Sequence, residues 1–179
     1  MENSTSTPTV VGTRALYEGY PPTYLDFVRF PGGETARYLR IDMGDSAQVL
    51  PVNERKEILF VEGYRHGLGR VALTLPAGVT ERGETPRATA RRELVEETGH
   101  DAKVFRKMLA MNTLPGYIEG RMHVFLARGL RRVRTEIDRG EVDRIQFVSV
   151  EKAMDLVRCG ELAASTIATI LYARERRFL

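Results

Sequence analysis

Seven short segments rich in β-branched and other apolar residues constrain this fold most strongly, because glycine, proline or charged turns separate them. The segments lie at 38–43, 47–52, 57–61, 70–75, 102–111, 122–127 and 144–148. Helical patterns predict three helices, at 86–98, 150–159 and 162–176. The strands outnumber the helices and do not alternate with them. This order favours an α/β (α+β) fold with a mixed sheet flanked by helices over a doubly wound parallel sheet.

The helix at 86–98 carries three carboxylates on one face. At about 100° per residue, Glu93, Glu96 and Glu97 fall within an arc of about 100°, and Arg92 lies beside them. They occupy the last two turns, where the helix dipole disfavours negative charge, and like-charged neighbours there cost about 0.2–0.5 kcal/mol per pair. Helix stability therefore does not explain them, and the face is either a solvated acidic surface or a functional site.

A divalent cation would turn this electrostatic cost into a binding site. Mg²⁺ prefers hard oxygen ligands and binds proteins through a few carboxylates together with substrate phosphates. Two such ions would neutralise a pyrophosphate group and polarise its phosphorus. The carboxylates thus point to hydrolysis of a phosphoanhydride bond.

The segment 78–99 resembles the Nudix box. That motif has a Gly, five residues, a Glu, seven residues, and then Arg-Glu-apolar-any-Glu-Glu-any-Gly-apolar. The matching residues are Gly78, Glu84, Arg92, Glu93, Leu94, Glu96, Glu97 and Gly99. Seven literal matches at fixed spacing have a chance probability on the order of 10⁻⁸ per start position. His100 departs from the pattern, because the motif has an aliphatic residue at this position.

The resemblance implies a Nudix-type α/β/α sandwich that hydrolyses a nucleoside diphosphate linked to another group. It also implies Mg²⁺ or Mn²⁺ as cofactor, with two or more ions bound together with substrate. By this resemblance Glu93 and Glu97 are the principal metal ligands, and Glu97 and Arg92 belong to the catalytic residues. Glu96 and the carbonyl of Ala77 are further ligands. Arg92 and Glu84 would hold the carboxylates in place.

Segments outside the box resemble the ADP-ribose pyrophosphatases of the same family. Pro115 follows Gly99 by 16 residues, the spacing typical of that subfamily. The resemblance makes Arg65, Pro115 and Glu119 candidate substrate-binding residues and ADP-ribose the expected substrate, cleaved to AMP and ribose 5-phosphate. Thr74 stands where many of these enzymes carry Glu, which keeps GDP-mannose and other sugar nucleotides open as the alternative.

The catalytic base of this subfamily usually lies in an acidic loop late in the chain. The candidates are Glu136, Asp138, Glu141 and Asp143, and the alternative for any one of them is a solvated loop. Counting back from 147–149, which resembles the closing strand and helix start of the family, favours Glu141. Near metal ions such a carboxylate has a lowered pKa and acts mainly by positioning water.

Length and composition limit the remaining possibilities. The 179 residues suit one domain, predicted over 10–179 after a polar tail at 1–9 that is expected to be disordered. No uninterrupted apolar run exceeds four residues, so no membrane span or signal peptide is expected. A single cysteine, Cys159, excludes an intramolecular disulfide and suits the cytoplasm. The net charge of +3 and the basic run at 131–134 are weak support for nucleic-acid binding, which is not expected.

Two other classes of function compete with this enzyme. One is a binding or regulatory module that keeps the fold to sense a nucleotide, and the other is an RNA-end pyrophosphohydrolase, for which the excess of basic residues is the only support. The subfamily resemblance also implies a homodimer formed through the N-terminal strands within 10–43. Aromatic residues suited to an interface or a core occur there, namely Tyr17, Tyr20, Tyr24, Phe27 and Phe30.

Overall fold

The computed structural model describes residues 7–133 and 142–179. Its strands are β1 (Thr9–Tyr17), β2 (Thr23–Arg29), β3 (Thr35–Asp42), β4 (Ser46–Val52), β5 (Glu57–Arg65), β6 (Arg70–Thr74), β7 (Ala77–Val79), β8 (His100–Met111), β9 (Ile118–Glu119), β10 (Met122–Arg132) and β11 (Arg144–Ser149). Its helices are α1 (Pro86–Thr98), α2 (Val150–Cys159) and α3 (Ala164–Glu175). None of the helices in these two ranges has the length and apolar character that crossing a membrane requires.

All seven predicted strands are present, as β3 to β6, β8, β10 and β11, and all three predicted helices are present. β10 continues past its predicted end at 127 because its pairing with β8 runs on to Arg132 opposite His100. β7 and β9 have only three and two residues, too few for a hydrophobic period to be read. β1 begins at Thr9 and so takes in the last residue of the predicted tail.

The described residues divide into two compact units, and a single domain over 10–179 stays a prediction. The first unit contains residues up to 44 and residues 112–120. Its sheet has the order β1-β2-β3-β9, antiparallel except for the parallel pair β3–β9. Asp26 is buried in this sheet and accepts hydrogen bonds from Arg40 Nε at 2.6 Å and Thr13 Oγ1 at 2.7 Å. The Arg40 guanidinium accordingly lowers the pKa of the Asp26 carboxyl.

The second unit contains residues 45–111 and those from 121 to the C-terminus. Its seven-stranded sheet has the order β11-β5-β4-β10-β8, with β6 paired to β5 and β7 paired to β4. β4 and β10 are parallel, whereas their other partners are antiparallel. The sheet is therefore mixed, as the order of predicted elements indicated.

Alternate residues of β4 face two different helical layers. Ala47 and Val49 pack with Ala90 and Leu94 of α1 in one apolar cluster. Leu50 packs in a second cluster that includes residues of α2 and α3. Because side chains alternate between the faces of a strand, α1 covers one face of the sheet and α2 with α3 covers the other. The α/β/α sandwich is confirmed in this unit.

Candidate active site

Helix α1 begins and ends at the residues that its local sequence specifies. Thr85 Oγ1 accepts a hydrogen bond from the backbone N–H of Ala88, and Pro86 occupies the first turn. Gly99 ends the helix in the left-handed conformation, with a φ of 69°, which glycine adopts without strain. Packing of the helix against β4 then fixes which side chains lie next to β7 and the loop around it.

Two of the three predicted carboxylate ligands are buried at this packing interface. Glu93 and Glu97 are 8% and 3% exposed, whereas Glu96 is half-buried. Glu97 Oε2 accepts a hydrogen bond from the backbone N–H of Ala77 at 3.1 Å. The peptide predicted to supply a carbonyl ligand is thus next to a predicted carboxylate ligand.

Gly78 leaves the space that Glu93 occupies. A Cβ atom built on Gly78 would lie 1.9 Å from Glu93 Oε1 and 2.2 Å from its Cδ, closer than non-bonded atoms can approach. Gly78 pairs with Ala47 in the ladder between β7 and β4, so the backbone there cannot simply move away. The glycine of the motif is therefore required by a close approach to the carboxylate.

Arg92 joins the carboxylates into one network. Its Nη1 donates to Glu93 Oε1 at 2.7 Å and to Glu96 Oε2 at 3.0 Å, and its Nε donates to Glu84 Oε1 at 3.0 Å. Its Nη2 donates to the Val79 carbonyl at 3.0 Å. Arg92 and Glu84 therefore both contact this cluster.

The network shifts the titration of its members. The hydrogen bond from Arg92 lowers the pKa of Glu84 to about 2, against the opposing effect of burial, and the Glu81 backbone N–H assists. The Glu84 hydrogen bond in turn raises the pKa of Arg92. Both groups are charged at neutral pH, so the network holds a fixed cation among carboxylates.

The ligand atoms of this cluster are of the chemical type that binds a hard divalent cation. Glu93, Glu96, Glu97 and the Ala77 carbonyl offer only oxygen ligands, as Mg²⁺ and Mn²⁺ prefer. A positive group, Arg92 Nη1, already lies between Glu93 and Glu96. Within the ranges 7–133 and 142–179 no three His, Cys, Asp or Glu side chains form a group arranged to hold a metal ion.

Thr89 is a member of this network that sequence reasoning missed. It is fully buried, and its hydroxyl lies 3.0 Å from Glu84 Oε2 and 3.2 Å from Thr80 Oγ1. The sequence signal is a threonine in the middle of a helix, where its helix propensity is modest, and that signal alone does not identify a partner. Thr89 therefore supports the position of Glu84.

The other predicted residues form contacts of their own. Arg65, at the end of β5, donates from Nη2 to Thr74 Oγ1 at 2.8 Å, so it contacts the residue at which the sequence departs from the subfamily. Pro115 and Glu119 belong to the first unit, where both line a cavity of about 340 Å³ and Glu119 pairs with Arg40 at 2.5 Å. His100 lies edge-on to Phe147, with ring centroids 5.9 Å apart, which accounts for an aromatic residue at that position.

The predicted catalytic base lies outside the described residues. This applies to Glu141 as well as to Glu136 and Asp138. Asp143 is described, and it is exposed, with its backbone N–H donating to the Glu62 carbonyl at 2.8 Å.

The fold and motif are shared with known proteins. The profile of the NUDIX domain matches residues 43–166. An ADP-ribose pyrophosphatase of Bacillus subtilis (strain 168) is 35% identical over 159 residues, which cover 87% of this chain and 86% of that protein. An ADP-ribose pyrophosphatase of Mycobacterium tuberculosis (strain ATCC 25618 / H37Rv) is 34% identical over 150 residues, which cover 82% of this chain and 72% of that protein. The crystal structure of an ADP compounds hydrolase superposes with a TM-score of 0.83 at 21% identity, over 96% of this chain and 95% of the other.

Proposed function

Because this chain belongs to the Nudix family of hydrolases, we propose that it hydrolyses the pyrophosphate bond of a nucleoside diphosphate linked to a sugar. The proposed substrate is ADP-ribose, which is the substrate named for the two relatives, and the products are AMP and ribose 5-phosphate. The observation that carries the proposal is the network in which Arg92 holds Glu84, Glu93 and Glu96 together beside the Ala77–Gly78 peptide.

The residues of this network divide the work between binding metal and holding the ligands. We assign Glu93 and Glu97 as the principal ligands, and Glu96 with the Ala77 carbonyl as further ligands. Two or more Mg²⁺ or Mn²⁺ ions, bound with substrate, would neutralise the pyrophosphate and polarise its phosphorus atoms. Arg92 and Glu84 keep the carboxylates oriented, because Arg92 donates to both sides of the cluster and Glu84 is anchored by Thr89.

A carboxylate base completes the proposal. We assign this role to Glu141, which would orient the attacking water and accept its proton. Among the four acidic candidates Asp143 is the described one, and its side chain is exposed.

Substrate choice is assigned to residues other than the carboxylates, because metal ions and carboxylates act on the diphosphate and not on what it carries. Arg65 is the proposed contact in the second unit, and Pro115 with Glu119 in the first. The contact between Arg65 and the neutral Thr74 favours keeping GDP-mannose as the second candidate, since many ADP-ribose enzymes carry Glu at that position.

A substrate panel tests the proposal. Purified protein is incubated with ADP-ribose, other ADP-sugars, GDP-mannose and a triphosphorylated RNA, each with Mg²⁺ and with Mn²⁺, and the products are separated by chromatography. We expect AMP and ribose 5-phosphate from ADP-ribose, and in ¹⁸O-labelled water the label in only one of the two products. Turnover of GDP-mannose alone would overturn the assigned substrate, turnover of RNA alone would overturn the subfamily, and inertness of every substrate would indicate a binding module.

We also propose that the protein is a cytoplasmic homodimer joined through its N-terminal strands. β1 is an edge strand, and its side chains Val10, Val11, Leu16 and Tyr17 are exposed. An edge strand has unpaired backbone groups, and a second copy of the chain could pair with them and bury these apolar side chains. Sedimentation at micromolar concentration would give a species of twice the 20.2 kDa chain mass, and a monomer would contradict the proposal.

A further inference from the structure

A basic cavity lies on the flank of α1 opposite the carboxylates. At about 100° per residue, Arg87 lies on the opposite side of the helix from Glu96. The cavity has a volume of about 560 Å³ and lies between α1 and strands β8 and β10. Its charged lining residues are all cations, namely Arg87, Arg91, Lys103 and Arg131.

 A separate cavity of about 610 Å³ lies beside α2 and α3 and is lined by Arg55 and Arg174 among others.

Two of the four cations at α1 are held in position by a buried carboxylate. Arg91 donates to Asp101 through Nε at 2.9 Å and through Nη2 at 2.6 Å, and Arg131 Nη2 donates to the same carboxylate at 2.9 Å. The Asp101 side chain is 6% exposed and also accepts from the backbone N–H of Ala102. Asp101 therefore fixes the direction of both guanidiniums before any ligand arrives.

The remaining two cations have no carboxylate partner in the part of the chain that the structure describes. Neither Arg87 nor Lys103 forms an ion pair there, and both are exposed. Asp101 carries one negative charge against four positive ones, so the cavity has an excess of three positive charges. Cations held this close repel one another, and an anion in the cavity would relieve that repulsion.

The shape of the cavity favours a compact anion over an extended nucleic acid. Phe105, the aromatic residue of its lining, is 8% exposed and packs in the cluster beneath α1, so it offers no open face for a base to stack on. Binding of single strands without sequence preference uses such stacking together with a long basic groove. Here the cations converge on one cavity instead.

We propose that this cavity binds a polyphosphate group, either inorganic or at the end of a nucleotide, at a site separate from the catalytic carboxylates. The phosphates would be bound by Arg91 and Arg131, which Asp101 orients, and by Arg87 and Lys103. The basic residues at 131–132, which the catalytic function leaves without a role, belong to the strand that supplies Arg131.

The test measures binding of tripolyphosphate by calorimetry in metal-free buffer, on protein carrying Glu97→Gln so that hydrolysis does not interfere. The test variant is Arg87→Ala with Lys103→Ala, which removes two cations and no observed ion pair. The matched control is Arg55→Ala with Arg174→Ala, which removes two exposed cations from the separate cavity. Unchanged circular dichroism of both double variants would show that they fold.

We expect Kd for tripolyphosphate to rise about tenfold or more in the test variant and to stay within about twofold in the control. ATP serves as a second ligand, since tighter binding of ATP would identify a nucleotide as the natural ligand and equal binding would identify the phosphate chain alone. Absence of binding to the Glu97→Gln protein, or equal losses in both double variants, would overturn the proposal. Tighter binding of a short single-stranded oligonucleotide than of tripolyphosphate would overturn it in favour of nucleic acid.

Discussion

Replacing Gly78 by alanine should disable the site without unfolding the protein. The added Cβ would lie 1.9 Å from Glu93 Oε1, and ordinary van der Waals contact begins at 3.4 Å, so the carboxylate must move by about 1.5 Å. The group that moves is the far end of a flexible side chain, which keeps the effect on stability small. A misplacement of about 1 Å in a catalytic group can cost about 100-fold in rate, or about 2.7 kcal/mol of transition-state stabilisation.

The assay is steady-state hydrolysis of ADP-ribose over a range of Mg²⁺ concentrations, with unfolding followed by circular dichroism. Gly67→Ala is the matched control, because nothing lies within 4 Å of a Cβ built there. We expect kcat to fall about 100-fold for Gly78→Ala and to stay unchanged for Gly67→Ala. In a Glu93→Ala background, Gly78→Ala should have no further effect, because both changes act on one carboxylate. Wild-type turnover of Gly78→Ala, or full additivity of the two changes, would refute this reasoning.

Three further predictions concern charged residues of the second unit. Glu97→Gln should lower turnover by about 10²–10⁴-fold with the fold intact, measured by kcat and circular dichroism, and near-normal turnover would contradict its role. Arg92→Lys should lower kcat by about tenfold or more, because one ammonium cannot span Glu84 and the ligands, whereas Arg87→Lys on the opposite flank should not. The pKa of Asp101 is lowered from 3.8 to about 2 by Arg91, so its stabilisation is complete above about pH 4 and is lost as pH falls towards 2. Thermal unfolding should show that Asp101→Asn lowers the free energy of unfolding by about 1–2 kcal/mol at neutral pH and weakens the fall in stability between pH 4 and pH 2. An unchanged fall in stability over this pH range would contradict the assignment.

Local signals were sufficient to predict the helices and most of the strands. The N-cap at Thr85 and the glycine at 99 act within one turn of chain, so the bounds of α1 follow from neighbouring residues. β7 could not be predicted in this way, because its three residues become a strand only by pairing with β4. The same holds for the far end of β10, whose polar residues are ordered by the partner strand β8.

The sequence by itself determined the spacing of the carboxylates and the resemblance that gives them a role. A helix has a fixed period, so residues three and four apart share a face in any fold, and Glu93, Glu96 and Glu97 needed no tertiary information to be grouped. Tertiary structure alone decided that Glu97 meets the Ala77 peptide and that Asp101 meets both Arg91 and Arg131. Those partners are separated by 20, 10 and 30 residues. Contacts at such separations depend on strand pairing and on how the helix packs across the sheet, which no local pattern encodes.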